Sequence, residues 1–99
     1  MSQSSSIGFV VSFTYPEHSL TDLAKLTGQM TLAGFSTTLS DSKGVPHELG
    51  INSFSLTTPL NQEDVQQLAQ GLGEVALGEK PEVQIVTCSD YFKRLHPDT

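Results

Sequence analysis

The chain has 99 residues, 36% apolar and 16% charged, and its eleven acidic against five basic side chains give a formal net charge of −6. That length suits one domain with its own core, the composition is that of a folded protein rather than a disordered one, and the acidity argues against a coat protein that grips nucleic acid through many lysines and arginines. A lone cysteine, Cys88, excludes an intramolecular disulfide and fits a reducing compartment, and no apolar run reaches the roughly 20 residues of a membrane span, so a soluble, cytoplasmic protein without membrane contact is expected.

Residues 1–6 are polar and read as a flexible start, 7–95 as a single domain and 96–99 as a tail. Ile7 to Tyr15 is rich in aromatic and β-branched residues, as a pleated strand prefers. Phe9, Val11, Phe13 and Tyr15 point to one side, and Val10, Ser12 and Thr14 to the other. Pro16, which has no N–H to give, closes the strand. Ser19-Leu20-Thr21-Asp22 reads as a capping box. The helix after it carries Leu20, Leu23, Leu26, Thr27, Met30 and Ala33 on one arc, and Gly34 is its stop.

Phe35 to Ser40 alternates as a second strand, and Asp41-Ser42-Lys43-Gly44 is a turn. Val45 to Gly50, interrupted by Pro46, reads as irregular. Ile51 to Thr58 is a third strand with Phe54 and Leu56 inward. Asn61 caps a second helix, Glu63 and Asp64 complement its positive end, and Leu60 staples to Val65. Val65, Leu68, Ala69 and Leu72 form its buried stripe. Three glycines and a proline between Gly71 and Pro81 predict a mobile, moderately acidic loop. Glu82 to Cys88 is a fourth strand, and Ser89-Asp90 cap a short last helix gripped by Tyr91, Phe92 and Leu95.

This order predicts the α+β class: a ferredoxin-like βαββαβ sandwich, with a four-stranded antiparallel sheet, two helices on one face and a short C-terminal helix. Both faces of the first strand carry apolar groups, so the helix-free face asks for cover. A second copy of the chain is the simplest cover, which predicts a homodimer.

Chemistry is less visible. His18, His47 and His96 stand at no metal-ligand spacing and read as solvated loop residues. Cys88 ends an apolar strand and reads as a structural thiol. Glu63, Asp64, Asp90 and Asp41 are explained by helix starts and a turn. Gly71, Gly73 and Gly78 are too irregular for a phosphate loop. No cofactor or metal is expected. Lys25 on the first helix, Lys43 in the turn, and Lys93 and Arg94 in the last helix are surface cations. Tyr15, at a strand–helix junction, is placed either to stack on a base or to close the core.

Several stretches together resemble the GhoS family, the antitoxins of type V toxin–antitoxin pairs. They are Phe9-Val10-Val11-Ser12-Phe13-Thr14-Tyr15-Pro16, Gly34-Phe35-Ser36, Gly44-Val45-Pro46-His47-Glu48-Leu49, Asn52-Ser53-Phe54-Ser55-Leu56-Thr57-Thr58 and Ser89-Asp90-Tyr91-Phe92-Lys93. The resemblance runs from about Ile7 to Arg94. It implies a ferredoxin-like fold similar to small CRISPR-associated nucleases. It also implies a sequence-specific endoribonuclease that cuts the mRNA of a small membrane toxin rather than sheathing the toxin protein, and no DNA partner is expected. The family's first helix carries arginines implicated in cleavage, and the matching positions here are Lys25 and Thr27. Thr14 ends the first strand where the related nucleases tend to have an Asp. Lys25, Tyr15 and Lys43 are the expected RNA contacts, and Thr27 marks the family's active position. Two other readings stay open: a non-catalytic RNA- or protein-binding regulatory module on the same fold, and an amino-acid-sensing domain of similar topology.

Overall fold

A computed structural model describes residues 6–15, 20–41, 43–50 and 52–95. In chain order these form β1 (Ile7–Thr14), α1 (Leu20–Leu32), β2 (Thr38–Ser40), β3 (Pro46–Glu48), β4 (Ser53–Thr58), α2 (Gln62–Leu77), β5 (Glu82–Thr87) and α3 (Cys88–Leu95). The apolar run of β1 earns the central place in an antiparallel sheet of order β4-β1-β5. Its register sets Val11 opposite Phe54 on one side and Ile85 on the other. Alternation sends Phe9, Val11 and Phe13 to one face. There they enter one core with Leu26 and Met30 of α1, Val65 and Ala69 of α2, Phe54 and Val83. Both long helices therefore cover the same face of the sheet, as expected.

The sheet has three strands rather than the four of a ferredoxin-like sandwich. The segment expected as its second strand touches β4 through an isolated bridge between Ser36 and Ser55. It then leaves, and β2 pairs with β3 in a separate two-stranded ribbon that sets Thr38 opposite Glu48 and Leu39 opposite His47. The cause is local. The Ser55 hydroxyl donates to the Thr38 carbonyl at 2.7 Å, occupying an acceptor that a fourth ladder would use. Phe35 turns into the core instead of alternating along a strand. The stretch expected to be irregular supplies β3, with Pro46 at its first position, where a missing N–H is tolerated.

α1 ends as Gly34 predicts. Gly34 takes φ 99°, the Phe35 N–H donates to the Met30 carbonyl at 2.9 Å, and the Gly34 N–H to that of Thr31 at 3.1 Å. This is a Schellman closure, with Phe35 and Met30 as its apolar pair. The capping box expected at Ser19 lies outside the described residues. Of the arc predicted on this helix, Leu26 and Met30 are buried, whereas Leu20 is 86% exposed.

α2 corrects a larger expectation, because Gly71 and Gly73 lie inside a helix that runs to Leu77. Its ends overcome the glycines. The Asn61 side chain accepts from the Asp64 N–H at 2.8 Å, Glu63 and Asp64 sit in the first turn, and Gly78 closes the helix at φ 79°. Asn61→Ala should remove about 1 kcal/mol of stability. That would lower the melting temperature by roughly 4–8 °C, measurable by calorimetry.

The middle of the second face of the sheet is covered from within the chain. α3 crosses it where a Cβ on Gly8 would stand 2.7 Å from Cys88 Sγ, and Val10 on this face is 1% exposed. The cap of α3 is Thr87, whose hydroxyl accepts from the Asp90 N–H at 3.1 Å, rather than Ser89. The apolar group that called for a second copy is thus already enclosed in one protomer. Tyr91 and Phe92 are half-buried, and the Leu95 side chain lies outside the described residues. No helix among the described residues is long and apolar enough to cross a membrane.

Candidate nucleic-acid interface

At the β4 edge of the sheet the chain forms an open groove of about 200 Å³. Leu23 and Thr27 of α1 make one wall, Thr37 and Leu49 the foot of the ribbon, and Gly50, Asn52, Ser53 and Phe54 the floor. The groove exists because the ribbon leaves the sheet. Had β2 paired along β4, the gap between α1 and that edge would be closed.

Asn52 is the best-determined polar group there. It takes φ 67°, a left-handed conformation that asparagine tolerates better than most residues. Its carbonyl accepts from the Phe13 N–H at 2.9 Å, and its side-chain oxygen accepts from the Tyr15 hydroxyl at 2.8 Å. With the oxygen so engaged, the amide nitrogen is left as a donor without a partner among the described residues. Tyr15 itself is 6% exposed and closes the core. Burial, followed by the nearby Asp22 carboxylate, pushes its hydroxyl above the ordinary value, so it stays a proton donor. Its ring offers no platform for a base, and its part in the groove is to hold Asn52.

The other expected residues are dispersed. Thr27 lines the groove. Lys25 is exposed two residues earlier on α1, and such a spacing turns side chains about 200° apart, so it does not share the wall with Thr27. Lys43 is exposed in the ribbon turn, where its N–H donates to Asp41 Oδ1 at 2.9 Å. Burial pushes the Cys88 thiol up, as suits a structural cysteine. Among the described residues no three His, Cys, Asp or Glu side chains converge as a metal site requires.

The ribbon turn carries an arrangement that the solvated-loop reading of His47 missed. Asp41 Oδ1 accepts from the N–H groups of Lys43 and Val45, and its Oδ2 lies 2.9 Å from His47 Nε2. The hydrogen bond from His47, with those from the backbone N–H groups, holds the Asp41 carboxyl below its usual range. The imidazole stands edge-on to Phe92 of α3 at 5.9 Å between ring centres, and Phe92 stands likewise to Tyr91 at 6.1 Å. The signal in the sequence is an Asp that opens a turn, with a His six residues after it. Hairpin pairing brings the two together, and spacing alone does not announce it.

The geometry defines a class: a small α+β domain with a three-stranded sheet, a detached ribbon and a mostly apolar groove at their junction. The chain belongs to the endoribonuclease GhoS family, whose model matches residues 1–94. Two curated relatives, each described as uncharacterized protein YdiZ, come from Escherichia coli K12 and Escherichia coli O157:H7. Each is 33% identical over 85 residues, which cover 86% of this chain and 88% of the relative.

Proposed function

We propose that the protein is the antitoxin of a type V toxin–antitoxin pair, a sequence-specific endoribonuclease that cuts the mRNA of a small membrane toxin in the cytoplasm. The observation that carries this reading is the family match, which spans nearly the whole chain. The groove supports it. At about 200 Å³ it is open and smaller than the roughly 300 Å³ at which enclosed small-molecule sites begin. It suits one splayed nucleotide of a single strand better than an engulfed amino acid. The Asn52 amide donor and the hydroxyls of Thr27 and Thr37 are the kinds of group that read a base edge or a phosphate.

Incubation of the purified protein with a panel of transcripts, with and without divalent metal, tests the reading. Reproducible fragments cut at the same positions support it. Intact RNA with a shifted band supports a second reading, a module that binds RNA without cutting. One observation favours that alternative: the groove presents a neutral hydroxyl at Thr27, the position that the family resemblance matches to an arginine.

Lys25 and Lys43 contribute to RNA binding as point charges outside the groove. Lys25→Ala should weaken binding at low salt and reduce the slope of log affinity against log salt by about 1, as measured by fluorescence anisotropy. An unchanged curve removes Lys25 from the interface. A homodimer remains part of the proposal, with its contact moved away from Val10. Leu20, Leu32 and Val75 are the most exposed large apolar side chains among the described residues. Sedimentation showing only monomer at micromolar concentration removes the dimer.

A further inference from the structure

A ribonuclease that uses the substrate's own 2′-hydroxyl needs a group to take its proton, and the groove walls supply none. Every residue lining the groove is apolar, glycine, a hydroxyl or an amide, and none of these titrates near neutrality. The imidazole nearest to these residues along the chain is His47, two residues before the groove-lining Leu49. We propose that His47, oriented by Asp41, is the proton-transfer residue of the RNA-cleaving reaction, placed on the ribbon beside the groove that holds the strand; this rests on the endoribonuclease reading above.

Four observations converge on this position. First, the imidazole is fixed. With Asp41 Oδ2 2.9 Å from Nε2, the neutral ring keeps its proton on that nitrogen. Nδ1, with no partner among the described residues, is left as the base. Second, Asp41 is itself fixed, because its other oxygen accepts two backbone N–H bonds across the turn. A carboxylate so anchored stabilises the imidazolium that forms when a proton is taken. Third, the ring is reachable: its side chain is 44% exposed, and Phe92 packs against one edge.

The fourth observation is charge. Of five basic residues in an acidic chain, Lys43, Lys93 and Arg94 lie on the two elements that meet at the His47–Phe92 contact. Set among Asp41, Glu48 and Asp90 of the same elements, they offer the strand's phosphates single contacts rather than a positive patch. The other titratable groups on these elements are Asp41, Glu48, Cys88, Asp90 and Tyr91.

The step balances without a co-reactant. Nδ1 of His47 takes the proton of a ribose 2′-hydroxyl, and that oxygen attacks the adjacent phosphorus. The bond from phosphorus to the 5′-oxygen breaks, and the leaving oxygen takes a proton from water. The imidazolium then returns its proton to solvent. The products are a 2′,3′-cyclic phosphate and a 5′-hydroxyl. Asp41 is a positioning residue and touches no reacting atom.

The test uses the full chain and a 5′-labelled transcript that the wild type cuts, under single-turnover conditions, together with the same RNA carrying one 2′-deoxynucleotide at the cut position. The expected results are cyclic-phosphate and 5′-hydroxyl ends and no cleavage at the deoxy position. His47→Ala and His47→Gln should both cut about 100-fold or more slowly while still shifting the RNA in a gel. The pH dependence of the wild-type rate should be absent from the residual rate of His47→Gln. Asp41→Asn should lower the maximal rate and leave the half-saturating RNA concentration unchanged.

Cleavage by the wild type with either His47 variant equally fast, or with 5′-phosphate ends, overturns this inference and leaves the endoribonuclease reading standing. A wild type that leaves every transcript intact overturns both.

Discussion

Phe54→Ala should cost about 3–5 kcal/mol and lower the melting temperature by roughly 15–30 °C. Phe54 is 2% exposed, heads the largest fully buried side chains among the described residues, and stands edge-on to Phe13 with ring centres 6.0 Å apart. It faces Val11 across the β1–β4 ladder, so its removal opens a cavity between the sheet and both long helices. A domain of this size has about 5–15 kcal/mol in total, and the loss takes a large share of it. Phe54 also lines the groove, so a change in RNA affinity needs separating from unfolding. Phe54→Leu, which keeps more of the volume, should lose less stability. RNA binding by both variants, measured well below their melting temperatures, then isolates the groove's share. A Phe54→Ala protein melting within about 5 °C of wild type would mean that the core does not close around this ring.

The strand pattern around Phe54 was readable in advance because β-sheet alternation is strict. Each apolar residue of β1 had to choose a face, and a one-residue slip would have exposed them all. The stop of α1 was readable for a similar reason, since Gly34 at the end of an apolar arc has few other uses. What escaped the sequence is what depends on pairing across distance. Nothing in Thr37 and Thr38 says that the chain will leave the sheet, because the deciding contact is a Ser55 hydroxyl seventeen residues away. The groove exists only through that departure, so it was invisible too. The cover of Val10 is invisible in the sequence for the same reason: α3 is short, and its placement across the sheet is a tertiary fact. The family resemblance marks both Lys25 and Thr27, but only Thr27 reaches the groove, because two positions apart on a helix are opposite sides of it. Asp41 and His47 were each read alone, as a turn residue and a loop residue, and their chemistry lies in their being 2.9 Å apart.

The glycines of α2 form one signal in the sequence and are physically two, which leads to a prediction of opposite signs. Gly71 is exposed, and a Cβ there would meet nothing within 4 Å. Gly71→Ala should therefore gain the helix propensity that glycine forgoes, about 0.8–1 kcal/mol. Gly73, two residues on, is buried against the sheet. A Cβ there would stand 2.7 Å from Pro81 Cγ and 2.8 Å from Phe13 Cε2. Both neighbours are stiff: one is a proline ring, and the other is an aromatic ring held by Phe54. Gly73→Ala gains the same propensity but forces one of those rings to move, and overpacking of this kind costs about 1–3 kcal/mol. Its net effect should be a loss of up to about 2 kcal/mol. Gly73→Val, with two more methyl groups and little propensity gain, should fall furthest. Urea denaturation of the three variants should place Gly71→Ala above wild type, then Gly73→Ala, then Gly73→Val. If Gly73→Ala proved more stable than wild type, α2 would not approach β1 this closely. The helix would then sit further from the sheet, with the core between them looser than these contacts require.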